Sequence, residues 1–298
     1  MKIAGLLNDA CSERERLGAG PGLESRQLAA GDDWAVEDVI CTYRPSDASF
    51  EERHARYRVA LVGVGTFQYR GHGGRELMTP GSLLLGNACD SFECGHEHGS
   101  GDRCLAFGYS QGAFERLAHD AGVRGRPRLH RSRLPPLNGL APLVADACAA
   151  WVEPGRVAFG FWEELGVRVA AAVAKLAANP ARAPRGPANA ERGVARAVRL
   201  IERDPSAALA LPDLAREAKL SRFHLVREFA RVTGLTPHRY VVRTRLRNAA
   251  VRLATGEERV IDVAMTSGFL DVSNFNHAFR AEFGTTPLAH RARLRRRH

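Results

Sequence analysis

Between Trp34 and Tyr109 apolar and polar positions alternate. Tyr57, Val59 and Leu61 are separated by Arg58 and Ala60, and Phe67 and Tyr69 by Gln68. That is the period of two of half-buried strands. Turn signals cut the stretch at short intervals: Gly63, Gly65, Gly71, Gly73-Gly74 and Pro80-Gly81. Leu83-Leu84-Leu85 reads as a short buried strand, and Phe107 and Tyr109 close the run. Many short strands with glycine-rich turns predict an antiparallel sandwich or small barrel.

The period then changes. Residues 112–121 read as a helix, and residues 137–178 as two more, split near Pro154-Gly155. Leu165, Val169, Val173 and Leu176 form a stripe for packing on the sheet or on a second subunit, as in a homodimer. Residues 1–30, rich in glycine and alanine and weakly patterned, are expected as a flexible arm. Residues 179–189 (NPARAPRGPAN) carry three prolines and a glycine and read as a linker.

From Ala190 the chain is helical, with Val194, Val198 and Ile201 on one stripe that stops at Asp204-Pro205. A repeat follows. Leu214-Ala215, Leu225, Phe229 and Gly234-Leu235-Thr236-Pro237 recur about 50 residues later as Val263-Ala264, Phe275, Phe279 and Gly284-Thr285-Thr286-Pro287. Each copy reads as a short helix, a tight turn and a second helix with its apolar residues on one side. This is helix-turn-helix layout, whose second helix offers its N-terminal half to base edges in the major groove. Gly268 suits the turn of the second copy, where a positive φ is needed; the first copy has Lys219 there. Residues 237–254 read as one long helix of roughly 27 Å. With the extra reach at each end, it can set two recognition helices in major grooves about 34 Å apart.

Charge sharpens this reading. The chain carries 43 basic and 33 acidic residues, a net charge of +10. Residues 1–189 hold 22 of each sign, so the whole excess sits in the last 109 residues. Arginine supplies 40 of the basic residues, and guanidinium reads phosphate and guanine in a bidentate way. One neutral module and one module that meets a polyanion are implied. Met1 to Leu7 meets Asn8-Asp9 before an apolar stretch long enough for a secretion leader, and no run of membrane-spanning length follows. Six cysteines are too sparse for a disulfide scaffold. The cytoplasm is the expected compartment, with no membrane partner.

Two strings make a family visible. LPDLAREAKLSRFHLVREFARVTGLTPHRYVVRTRLRNA, and the run from Gly268 through Pro287 with its GFxDxSNFxxxFRxxFGxTP pattern, resemble the DNA-binding domain of AraC/XylS-type transcriptional regulators. The resemblance covers residues 190–293. It implies a regulator of transcription, not an enzyme, that binds double-stranded DNA, with RNA polymerase as a further partner; an activator is expected, and activation against repression stays open. By position it assigns base contacts to Phe223, Val226 and Arg227 in the first unit and to Ser273, Asn274 and His277 in the second. Arg222, Arg231, Arg239, Arg243, Arg245 and Arg280 are expected on phosphates. It also implies that residues 31–178 form a sensor and dimerisation domain, a cupin-like antiparallel β-barrel followed by helices, that answers a small molecule, a metal or a redox change. Residues 294–298 remain as a basic tail. The fold class is therefore α+β, with an all-α C-terminal domain of two helix-turn-helix units.

One cluster stands apart. Cys89, Cys94, His96, His98 and Cys104 fall within sixteen residues, and Cys94, His96 and His98 share one face if they lie on a strand. Thiolate and imidazole together suit zinc or another soft metal; buried thiols and loop histidines with structural roles are the other reading. Trp34, Tyr43, Tyr57, Phe67, Tyr69 and Phe107 are candidates for a pocket interior, with His54 at its mouth. A cupin-type metalloenzyme fused to a DNA-binding domain is the alternative function.

Overall fold

Alternation between Trp34 and Tyr109 does produce antiparallel strands, but they divide between two sheets. The structure is a computed structural model that describes residues 2–177 and 188–295. Elements run α1 (Lys2–Leu17), β1 (Leu23–Ala30), β2 (Trp34–Cys41), β3 (Phe50–Arg53), β4 (Tyr57–Gly65), β5 (Phe67–Gly71), β6 (Gly74–Met78), β7 (Leu83–Gly86), β8 (Ser91–Gly95), β9 (Asp102–Tyr109), α2 (Gln111–Asp120), β10 (Arg133–Leu134), α3 (Ala141–Val152) and α4 (Phe159–Ala177). They continue with α5 (Ala188–Arg203), α6 (Leu211–Ala218), α7 (Arg222–Thr233), α8 (Pro237–Thr255), α9 (Val260–Thr266), α10 (Val272–Phe283) and α11 (Pro287–Arg295). The chain forms two compact units. One holds α1, all the strands, α2 and α4; the other holds α3 and α5 to α11.

In the first unit one sheet has the order β1-β2-β9-β4-β7-β10 and the other β3-β8-β5-β6. Among the described residues no strand pairing joins the two sheets, so the closed cupin-like barrel gives way to two facing sheets. Ala60, Val62, Phe67, Tyr69, Met78, Leu84, Cys104 and Ala106 form an apolar cluster drawn from both. Strand β9 is buried along its whole length, charged residues included. Its Arg103 is held by Asp38 of β2 at 2.7 and 2.9 Å and donates to the carbonyl of Ile3 at 2.8 Å. That contact, with Ile3 and Leu7 buried, fixes α1 on the sheet. The expected arm over residues 1–30 is thus a helix and an edge strand. Helix α4 covers the sheet through Leu165, Val169 and Val173, and its Gly166 carbonyl accepts from the Tyr109 hydroxyl at 2.7 Å. Leu176, read as the fourth member of that stripe, is 38% exposed, while Ala174 and Ala177 beside it are buried.

The second unit is built around α8, whose Tyr240, Val241, Leu246, Ala249, Val251 and Leu253 are buried. Phe275, Phe279 and Phe283 of α10 pack with Leu246, Ala249 and Leu253, and Ala141 and Ala145 of α3 join the same core. Removing one such ring would cost about 3–5 kcal/mol. Residues 136–158, placed by the sequence reading in the first domain, therefore belong to this unit. Their alanine face is the reason, since small side chains at Ala141, Ala145 and Ala149 let α3 lie close to Ala249, Ala250 and Ala254. Asp146, fully buried on α3, pairs with Arg293 of α11. The linker reading over 179–189 lies outside the described residues except for Ala188 and Asn189, which begin α5. In the basic tail, residues 296–298 lie outside them as well.

Candidate functional site

Each helix-turn-helix is set by local chemistry. In the first, the Ser221 hydroxyl caps α7 by accepting from the His224 amide at 3.3 Å. Leu225, Phe229 and Val232 are buried, which turns the opposite face of α7 outward. Phe223 is 73% exposed, Arg227 is exposed and Val226 is half-buried. Glu228, buried beneath them, binds Arg231 at 2.8 Å and Arg227 at 3.0 Å. The Arg231 hydrogen bond, and after it that of Arg227, holds the Glu228 carboxyl below its ordinary range against the opposing effect of burial. In the second unit Asp271 caps α10, accepting from the amides of Ser273 at 2.8 Å and Asn274 at 3.2 Å. Ser273, Asn274, His277 and Arg280 are exposed over the buried phenylalanines. A donor-rich, exposed helix face is what reading base edges requires.

The basic residues separate into two sets. Arg222, Arg239 and Arg280 are exposed. Arg243 and Arg245, expected on phosphates, are turned inward. Arg243 is 9% exposed, pairs with Glu282 of α10 at 2.9 Å and donates to the carbonyl of Pro136. Arg245 donates to the carbonyls of Pro205, Gly268 and Ala207 at 2.6, 2.8 and 2.9 Å. Both guanidiniums are consumed by the frame that links the two helix-turn-helix units. Arg231 is half-buried against Glu228 and sits between the two sets. At 19 residues, α8 spans about 28 Å.

The first unit encloses a cavity of about 490 Å³ between its sheets. Trp34, Phe67, Phe92, His54, Arg53 and Arg58 are among its walls. His54 is stacked on Phe92 at 4.1 Å and bonded to the Tyr69 hydroxyl at 2.8 Å; burial lowers its pKa to about 4. Of the six aromatic candidates, Trp34 and Phe67 line the cavity, while Tyr57, Tyr69 and Phe107 are core. Tyr43 is not in the wall; it stacks on His96.

Residues 214–293 match a helix-turn-helix domain family. Over 81 residues the chain is 38% identical to the regulatory protein SoxS of Salmonella typhimurium, covering 27% of this chain and 76% of SoxS. Over 94 residues it is 34% identical to the HTH-type transcriptional activator RhaS of Yersinia pestis, covering 32% of this chain and 34% of RhaS. The chain belongs to the AraC/XylS family of transcriptional regulators. Among solved structures, an AraC-type transcriptional regulator of Chromobacterium violaceum matches with a TM-score of 0.34 and 27% identity over 36% of this chain and 96% of that one. No described helix is long and apolar enough to cross a membrane.

The structure rearranges the cysteine and histidine cluster. Cys89 is exposed at a turn with φ +67°, away from the rest. Cys94, His96 and Cys104 do line the cavity, but His98, though buried, is not part of its wall. In their place Cys41 and Asp102 join His96: one ligand atom from each lies within 4.8 Å of the others. Cys41 is 48 residues from Cys89 and outside the local string, so spacing alone did not find it. The register of β2 on β9, which sets Cys41 directly opposite Asp102, is what brings it in. Burial pushes the Cys41, Cys94 and Cys104 thiols well above their ordinary range, and the Asp102 charge adds to this. Without a cation beside them such thiols stay protonated at neutral pH, which disfavours sensing by a free thiolate nucleophile; a bound metal would displace the proton.

Proposed function

We propose that this protein is a cytoplasmic, sequence-specific regulator of transcription that reads double-stranded DNA through α7 and α10. The observation that carries this is the pair of capped helices, repeated at a 50-residue offset, each with an exposed N-terminal face. In this reading Arg227 addresses guanine, Phe223 and Val226 meet thymine methyls, and Ser273, Asn274 and His277 read the second groove segment. Arg222, Arg239 and Arg280 fix the register on phosphates. The cavity of the first unit is the effector site, and an effector that favours one arrangement of the chain shifts its DNA affinity by its differential binding. Activation through contact with RNA polymerase, as a dimer or a monomer, completes the proposal; RhaS, one relative, is named as an activator.

Selection of bound sequences from a random duplex pool, followed by footprinting, tests this. Enrichment of a site with two protected major-groove segments on one face supports the reading. Uniform retention of all sequences would leave only binding by charge.

A further inference from the structure

Asp102 gathers thiols from across the first unit. Closest to it, His96 Nε2 lies 2.8 Å from Asp102 Oδ1 and 3.6 Å from Cys41 Sγ, and the Cys104 thiol is 3.4 Å from Asp102 Oδ2. Cys41, His96 and Asp102 are all buried, and His96 Nδ1 has no hydrogen-bond partner. The three come from different pieces of chain: the end of β2, the residue after β8 and the start of β9. Antiparallel pairing of β2 with β9 fixes two of them, and the β8–β9 turn carries the third across from the other sheet.

We propose that Cys41, His96 and Asp102 bind a thiophilic divalent cation of the zinc class at one end of the cavity, with Cys104 beside them. One soft sulfur, one imidazole nitrogen and one carboxylate oxygen is a donor set that favours zinc over all-oxygen cations such as calcium or magnesium. With bonds of about 2.3 Å to sulfur and 2.0–2.1 Å to nitrogen, a tetrahedral ion needs sulfur and nitrogen roughly 3.6 Å apart, which is their present separation. The nitrogen and oxygen have to open from hydrogen-bond distance by about half an ångström. The remaining coordination position is served by Cys104 or faces the cavity, whose wall contains all four residues. A bound ion ties β2 and β9 of one sheet to the end of β8 in the other, at the edge of the space assigned to the effector. The site stands on its own geometry and does not depend on how the second unit reads DNA.

The test uses the full-length protein, stripped with a chelator and titrated with Zn²⁺ against a chromophoric competitor, with Co²⁺ in parallel. One equivalent of Zn²⁺ is expected, with a sulfur-to-cobalt charge-transfer band in the Co²⁺ form. Cys41→Ser and His96→Gln should each weaken Zn²⁺ binding by at least about tenfold, while Cys89→Ser binds as the parent does. Circular dichroism confirms that each variant is folded, and Asp102→Asn replaces any that is not. A folded parent that takes up no Zn²⁺, a Co²⁺ form without the charge-transfer band, or a folded Cys41→Ser that binds like the parent overturns the proposal. None of these readouts involves DNA, so they cannot be confused with failure of the regulator reading.

Discussion

Lys219 and Gly268 hold the same left-handed backbone at the turns of the two helix-turn-helix units, with φ of +54° and +88°. Only glycine adopts that region without a penalty from Cβ. The first unit therefore stores strain that the second avoids. Lys219→Gly should stabilise the protein by about 0.5–1 kcal/mol, the relief of the left-handed penalty less the extra entropy of an unfolded glycine. Gly268→Ala should do the reverse and cost more, about 2 kcal/mol, because its Cβ would meet the Ser206 carbonyl at 2.8 Å and the Arg245 guanidinium at 2.9 Å. Thermal melts of the two variants check both signs; a stabilised Gly268→Ala would refute the argument.

Arg227 tests what the first recognition helix reads. It is exposed on α7 yet leashed to Glu228 at 3.0 Å, so its guanidinium is already aimed along the helix surface. Arg227→Ala should relax base preference at one position of the bound site by about 1–3 kcal/mol. Competition binding against a panel of single-base variants gives the answer. Equal loss on every sequence would instead make Arg227 a phosphate contact.

Much of the second unit was legible because its signals are local. Leu225 and Phe229, then Phe275 and Phe279, lie four apart on one face of each helix. The residues that misled are those whose role depends on distant partners. Arg243 and Arg245 look like their neighbour Arg239 in the sequence, but Glu282 and the carbonyls of Pro205, Ala207 and Gly268 take them inward. Charge patterning reports the sign of a side chain and says nothing of its burial. In the first unit the same limit hid Cys41, which meets Asp102 only through strand register. Helix α1 was hidden for a related reason, since its anchor is the contact of Ile3 with Arg103, a hundred residues on.

The two sets of arginines should part company in a salt titration. Arg239→Ala, at an exposed position, should reduce the slope of log affinity against log salt by about one while leaving sequence preference intact. Arg243→Ala should instead lower stability by about 2–4 kcal/mol, because Glu282 stays mostly buried without its partner. Burial already raises the Glu282 carboxyl above its ordinary range against the pull of Arg243. Without that pull it rises further, so the deficit should be larger at neutral pH than at pH near 5. A folded Arg243→Ala with parental stability and a reduced salt slope would return this residue to the phosphate set.

His290 supplies a pH dependence of known sign. It is 1% exposed, with its ring 5.5 Å from Phe279 and 5.9 Å from Phe283. Burial, reinforced by Arg293 and opposed by Asp146, lowers its pKa from 6.5 to about 4. Between those values the unfolded chain binds a proton that the folded chain refuses, so stability rises with pH across the window and is complete above it. The contribution lost on acidification is at most about 3 kcal/mol. His290→Phe keeps an aromatic ring against Phe279 and has nothing to protonate. Its stability should therefore fall less steeply than the parent's as pH drops from 6.5 to 4, as read by denaturant melts at several pH values. Because His54 is present in both proteins, the difference between the two slopes isolates His290. Parallel slopes would show that its imidazole is already reached by water in the folded state.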